Sequence, residues 1–298
     1  MYWNSLSDHL KAQYGTKVYK LALSSGCTCP NRDGTLDSRG CIFCDGAGAF
    51  AEAGDIPTQL AAAKARVAAK AGPDARYIAY FQSFTNTYGP VDRLERLYRA
   101  AMEPEDVAVL SIATRPDCLG PEVLALLAEL NRQKPVWVEL GLQTIHPESA
   151  AYIRRGYDLP VFDQAVEQLK ALGITVVVHQ ILGLPGEGLK EMTATSRYIG
   201  RSGADGVKFQ LLHVLQGTDL AAHWQAGNVP LPDLDTYIAM LEACVRSVPR
   251  EMVIHRLTGD GAKRELLAPL WSGDKKRVLN AIHAAFLRDD VEQGSLFL

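Results

Sequence analysis

Short apolar runs recur along the chain at residues 18–24, 75–81, 107–114, 136–142, 175–182 and 206–214, with a briefer one at 252–257. Between them lie longer stretches in which apolar positions return every three or four residues, the period of a helix with one buried face. The stretch 58–71 is alanine-rich, 91–101 carries an apolar stripe, 121–131 opens with proline in its first turn, and 161–171 stops before Gly173. Strand-length runs alternating with helices predict repeated βα units, hence an α/β fold around a parallel sheet, and the length suits one barrel. Pro230 and Pro232 mark the clearest break. It divides the chain into an N-terminal helix (1–16), a barrel core (17–229) and a C-terminal cap (230–298) made of a helix over 234–248 and a basic segment. In parallel α/β barrels the chemistry lies where strands end, so the residues after each run are the ones to inspect.

Composition sets limits on the function. The apolar residues, 47% of the 298, are spread out and never form a membrane-length run, which excludes a membrane partner and a disordered tail. A net charge of −3 argues against unselective coating of nucleic acid. Between 251 and 288, however, seven Lys and Arg face four acids, an excess that a solvated helix face also explains. The first residues lack the basic-then-apolar order of a secretory signal and the make-up of a transit peptide, so the expected localisation is cytoplasmic. Four of the six cysteines, Cys27, Cys29, Cys41 and Cys44, fall within eighteen residues. In a reducing compartment that grouping indicates metal ligation and not disulfides.

The first apolar run empties into Ser24-Ser25-Gly26-Cys27-Thr28-Cys29-Pro30, and the loop closes on Gly40-Cys41-Ile42-Phe43-Cys44. Thiolates serve zinc and iron–sulfur clusters alike, and on ligand count alone four cysteines suit a closed tetrahedral zinc site as well as a cluster. Position favours the cluster. A zinc knuckle usually staples a unit that lacks a core of its own, whereas this loop hangs from the first strand of a barrel with a large one. Three thiolates on a [4Fe–4S] cluster leave one iron open at a strand end, where a substrate can bind.

The strings CPNRDGT and GCIFC resemble those of radical S-adenosylmethionine (SAM) proteins of the YhcC/YtqA type, which are related to the radical domain of the elongator catalytic subunit. The likeness covers nearly the whole chain. It implies a partial TIM-like barrel with a small helical, basic C-terminal cap, a [4Fe–4S] cluster on Cys29, Cys41 and Cys44, and S-adenosyl-L-methionine as second cofactor. In that family the three-cysteine motif is stretched between its first two ligands, as it is between Cys29 and Cys41 here, and Phe43 before the last cysteine also fits. Cys27 departs from the family pattern. A fourth protein ligand would close the open iron, so Cys27 is read as a bystander.

At the other strand ends the same resemblance assigns cofactor contacts. Gln82 and Ser83 stand where relatives have a Gly-Gly-Glu-like turn that accepts hydrogen bonds from the methionine ammonium group, in a stretch that also reads as an ordinary polar turn. Thr114 follows Ala113, a position where relatives often carry glutamate, and leads into Arg115-Pro116-Asp117, whose charged pair also reads as structural. Gln143 and Arg155, twelve residues apart, match cofactor-binding residues, the arginine pairing with the carboxylate as a guanidinium fork does. His179 falls at a ribose-binding position, and Leu184, in Gly183-Leu184-Pro185-Gly186-Glu187, at the adenine side. Lys208, Gln210 and His213 in the sixth run, with Arg256 and Asp260 after the cap helix, are assigned to substrate, although barrel packing explains the first three equally well.

Chemically, the resemblance implies reductive cleavage of SAM to a 5′-deoxyadenosyl radical, fed by an external one-electron donor of the flavodoxin or ferredoxin type, and hydrogen abstraction from a substrate. Kinship with the elongator domain implies a tRNA partner and modification of a wobble uridine, making the chain a tRNA-modifying transferase. Two other readings stand beside it at this level: radical chemistry on a small metabolite or peptide, and a zinc-stapled binding protein without catalysis.

Overall fold

The computed structural model describes residues 2–46, 51, 53–259 and 264–297. Six strands follow one another in a parallel sheet: β1 (Val18–Leu23), β2 (Arg76–Phe81), β3 (Val107–Thr114), β4 (Val136–Gln143), β5 (Thr175–Leu182) and β6 (Gly206–Leu211). After β7 (Val214–Leu215), a seventh sheet strand, β8 (Val253–Arg256), pairs in parallel with β6, while β9 (Leu266–Ala268) pairs antiparallel with β7. The helices are α1 (Leu6–Tyr14), α2 (Ile56–Val67), α3 (Val91–Met102), α4 (Pro121–Asn131), α5 (Pro147–Tyr152), α6 (Leu159–Ala171), α7 (Leu189–Arg201), α8 (Asp219–Gln225), α9 (Leu234–Arg246) and α10 (Lys275–Arg288). The result is an α/β half-barrel, with the parallel sheet that the alternating runs implied and the partial closure that the resemblance implied. Helix α2 starts two residues earlier than its periodicity indicates because the Asp55 side chain caps it, accepting from Thr58 N at 2.9 Å.

The strands are apolar on both faces, as buried parallel strands must be. Leu21, Phe81, Leu110, Val138 and Val178 pack outward with Leu94, Tyr98, Leu127 and Phe162 of the helical layer. Inside, Ile78, Tyr80, Val109, Ala113 and Trp137 form a separate cluster with Leu10 of α1. A third cluster, with Ile42, Ile153, Ile181, Leu184, Val214 and Leu220, joins the cysteine loop to β5 and α8.

The edge strands β1 and β8 do not pair with each other, and α1 contacts both. Its approach is set by Ile254 N, which donates to Asn4 O at 2.8 Å. The sheet therefore draws its last strand from the segment 230–298, and the N-terminal helix lies against the seam. The apolar signal of β8 is brief because the strand has four residues and two of them, His255 and Arg256, line cavities. Among the described residues no helix is long and apolar enough to cross a membrane.

Candidate active site

Beyond β1 the chain folds back on Cys29, whose carbonyl accepts from Arg32 N at 2.8 Å and Asp33 N at 3.1 Å. Gly40 N donates to Asn31 O at 2.6 Å, and Cys44 N to Cys41 O at 2.9 Å. Asn31, 1% exposed, pins the loop: its Nδ2 donates to Arg154 O at 2.7 Å and approaches Cys41 Sγ at 3.5 Å. Gly156, at φ +80°, makes room for it, because a Cβ there would fall 2.8 Å from Asn31 Oδ1. Arg32 donates to Cys44 O and lies against Gly40 and Gly46. The insertion between Cys29 and Cys41 is thus an ordered loop, and it brings Cys29, Cys41 and Cys44 to one cavity of about 260 Å³. Burial, with the neighbouring Cys44 second, pushes the Cys41 thiol up to about 11, so a metal binding there must displace its proton.

Cys27 points elsewhere. It is 7% exposed within the sheet–helix core, beside Gly89 and 3.9 Å from Arg93 Nη1. Among the described residues, Cys27 does not join Cys29, Cys41 and Cys44 at the cavity, so the four-thiol set that a closed zinc site needs is not assembled there.

Of the expected contacts, Gln82, Ser83, Thr114, Gln143, Arg155 and His179 line the cavity with the cysteines, as do Gln210 and Arg256. Leu184 does not line it; it is 2% exposed and packs with Ile42 and Ile153, because an apolar side chain gains more there than at a polar wall. Lys208 sits deeper, against a buried carboxylate described below. His213 packs against Gly259, whose added Cβ would come within 2.7 Å of its ring, and does not line the cavity. Asp260 lies outside the described residues.

Gln143 is the most telling of these residues. Its φ is +69°, a conformation that side chains adopt only under constraint, and its Oε1 is buried with no donor among the described residues. The residue lines the cavity beside the three thiols, and among the described residues nothing donates to its Oε1. Arg155 differs from expectation. Its Nη1 donates to Thr144 O at 2.6 Å and Leu142 O at 3.3 Å, and its Nε to Tyr157 O at 3.1 Å. With those atoms holding the turn after β4, Nη2 alone remains for a carboxylate, and a two-pronged fork is not available. Thr114 Oγ1 is shared with Thr87 Oγ1 at 2.6 Å, and Arg115 forks Asp117 at 2.9 and 2.7 Å while donating to Arg155 O at 2.8 Å. The Arg115–Asp117 pair therefore braces two strand ends against each other.

A hub of buried hydrogen bonds, centred away from the strand ends, lies beneath. Glu139, wholly buried on β4, accepts through Oε2 from Tyr80 Oη at 2.9 Å, His179 Nε2 at 2.8 Å and Lys208 Nζ. Through Oε1 it accepts from Ser111 Oγ at 3.0 Å and Lys20 Nζ at 3.4 Å. Burial pushes its pKa up, but Lys208, Lys20 and the His179 hydrogen bond together outweigh that and hold it well below the carboxylate range. Burial drives His179 down to about 4, against the pull of Glu139, so the ring is neutral near pH 7. With Nε2 donating to an ionised carboxylate, Nδ1 is left as an acceptor. An acid inside an otherwise apolar strand was the visible signal, since buried charges require partners.

Comparison with known proteins agrees with this geometry. Residues 29–199 match the model of the radical SAM superfamily and residues 204–288 that of the radical SAM C-terminal domain. The chain is 40% identical to YtqA of Bacillus subtilis over 99% of its length and 92% of that protein. It is 37% identical to YhcC of Escherichia coli over 90% of its length and 87% of that protein. It superimposes on the solved structure of an N-terminally deleted Elp3 from the archaeon Methanocaldococcus infernus with a TM-score of 0.72 at 17% identity, covering 93% of this chain and 64% of that one. A shorter match, 31% identical over 122 residues, covers 40% of this chain and 22% of a tRNA uridine(34) acetyltransferase of Methanocaldococcus jannaschii.

Proposed function

Because this chain belongs to the radical SAM superfamily, we propose that it is a radical enzyme acting on a tRNA base, the wobble uridine. The cofactors of the family are a [4Fe–4S] cluster and SAM. The residues present fit both. Three thiols, and not four, share a cavity with the orphan acceptor Gln143 Oε1, and that juxtaposition carries the reading.

Cys29, Cys41 and Cys44 would hold the cluster; Gln82, Ser83 and Gln143 offer acceptors to an ammonium group, Arg155 Nη2 a donor to a carboxylate, and neutral His179 Nδ1 an acceptor to a ribose hydroxyl. Bound there, the pair supplies hydrogen abstraction from a substrate, driven by one electron from an external flavodoxin- or ferredoxin-type donor. Phe43, Phe84 and Tyr157 line the same cavity and limit access of water to it. Gln210 and Arg256 present polar groups to a substrate. The tRNA half of the proposal draws support from the partial likeness to a tRNA uridine(34) acetyltransferase and from the basic excess over 251–288.

Anaerobically reconstituted protein with dithionite and SAM should release 5′-deoxyadenosine. Cys41→Ala should abolish release and Cys27→Ala should retain it; an inactive but folded Cys27→Ala would overturn the ligand assignment. Comparison of modified nucleosides in tRNA from cells with and without the gene tests the substrate. An unchanged profile would sink the tRNA half and leave the radical half standing.

A further inference from the structure

Another cavity, of about 540 Å³, lies beside the thiol cavity at the starts of α5 and α6. Arg155 and Tyr157 line both spaces, so one layer of side chains separates them. Its walls are apolar, from Ile145, Pro147, Ala150, Leu159 and Pro160. Its acidic group is Asp158, at the N-cap of α6, where an aspartate side chain usually accepts from the second or third helical N–H. Here that use is closed. The second position is Pro160, which has no N–H, and Val161 N at the third donates at 3.1 Å to the Asp158 carbonyl. The Asp158 carboxylate therefore caps nothing and stands exposed at the cavity. Burial, the largest influence on Arg155, works against its charge, while Tyr157 and then Asp158 work for it, so two opposite charges share this wall.

We propose that this cavity binds a guanine base, held by the Asp158 carboxylate. An ionised carboxylate only accepts, and its two oxygens match a pair of adjacent, parallel N–H donors. Among the four RNA bases guanine alone carries such a pair on one edge, N1–H beside the 2-amino group. Adenine and cytosine offer one amino group beside an acceptor, and uracil one N–H between two acceptors. A guanidinium or ammonium ligand also donates, but it would approach Arg155, and like charges set against each other are disfavoured. The apolar walls suit the faces of a flat ring, and the volume falls in the range of sites for small ligands. A base here lies one side-chain layer from whatever occupies the thiol cavity. Guanine in a free nucleotide and guanine next to a uridine in RNA present the same edge, so the inference concerns recognition of the base and does not depend on the tRNA reading.

The test is calorimetric titration of the reconstituted full chain with guanosine, inosine, adenosine and xanthosine 5′-monophosphates, whose common ribose and phosphate cancel from the comparison. The guanosine nucleotide should bind about tenfold more tightly than the inosine one, which lacks the 2-amino group, and at least tenfold more tightly than the adenosine one. Asp158→Asn places a donor opposite position 2 of the base. It should weaken the guanosine nucleotide about tenfold and tighten the xanthosine one, which has a carbonyl there, by a similar factor. A role confined to the start of α6 would not exchange one base for another. Glu148→Gln on α5, exposed and off the cavity, is the control and should stay within twofold of wild type. Equal binding of the guanosine, inosine and adenosine nucleotides, or no binding at millimolar concentration, would overturn the proposal. So would loss of guanosine binding in Asp158→Asn without the gain for xanthosine, or tighter binding of argininamide than of the guanosine nucleotide. The dinucleotide UpG separates the two sources. With the Asp158→Asn exchange in hand both outcomes support guanine recognition, tighter binding than the mononucleotide assigning the cavity to RNA and weaker binding to a free nucleotide. Matching melting curves of both variants guard against a folding artefact.

Discussion

Substituting Glu139→Gln removes the single negative charge of the hub while nearly keeping its shape. Five donors converge on this carboxylate, from Tyr80, His179, Lys208, Ser111 and Lys20, and Lys208 is itself 2% exposed. Breaking a buried ion pair from one side costs about 3–5 kcal/mol, because the partner charge is left without compensation in low dielectric. At about 2 °C per kcal/mol for a chain of this size, the melting midpoint at pH 7.5 should fall by about 6–10 °C. The double variant Glu139→Leu with Lys208→Met removes both partners, of which Lys208 is pressed by burial toward its neutral form and held charged by Glu139, and should recover most of the loss. Thermal melts at one scan rate, followed by circular dichroism, make the comparison. The sign with pH is also fixed: the Glu139 pKa is depressed in the fold, so its contribution is full above the unfolded carboxylate value near 4.5 and fades as pH falls below it. The gap between wild type and Glu139→Gln should therefore close in acid. A single variant melting within about 2 °C of wild type, or a double variant falling as far as the single one, would refute the ionised hub.

Two further outcomes follow from the same site. His179 titrates near 4 in the fold against 6.5 when free, so the unfolded chain binds the extra proton in between and stability should rise from pH 4 to 6.5 by about 3 kcal/mol from this residue. His179→Gln should flatten that part of the curve measured by urea unfolding, leaving a residual slope from His255, which burial pushes the same way; an unaltered slope would contradict a buried neutral His179. Gln143→Gly relieves a residue at φ +69° and deletes an orphan acceptor, and should raise stability by about 1 kcal/mol while weakening SAM binding about tenfold. Equilibrium binding of SAM to the reconstituted variant decides it, since unchanged affinity would mean that Oε1 does not meet the ligand.

What could be read from the amino acids follows from which signals are local. Runs that are apolar on both faces announced six strands, and Pro121 after Gly120 announced α4 to the residue. Helix α7 was obscure because its buried face is partly polar: Ser196 donates to Gln180 Oε1 at 2.8 Å and Thr195 is fully buried, so no clean apolar stripe appears. The cysteine loop was legible as a metal site, but spacing could not say which thiols share a cavity. That is decided by Ser25, which donates to Asn86 at 2.7 Å and accepts from Cys27 N at 3.2 Å while Cys27 lies in the core. Glu139 and its two lysine partners are 119 and 69 positions apart in the chain, so no window could pair them, although an acid in one apolar strand and lysines in two others form one requirement. Backbone conformation is the least visible of all. The positive φ of Gln143 and the carbonyls that occupy Arg155 arise where the chain leaves β4, and they divide the two residues that resemblance had treated alike: Gln143 is left with an unmet acceptor, while most of Arg155 is engaged in holding the turn.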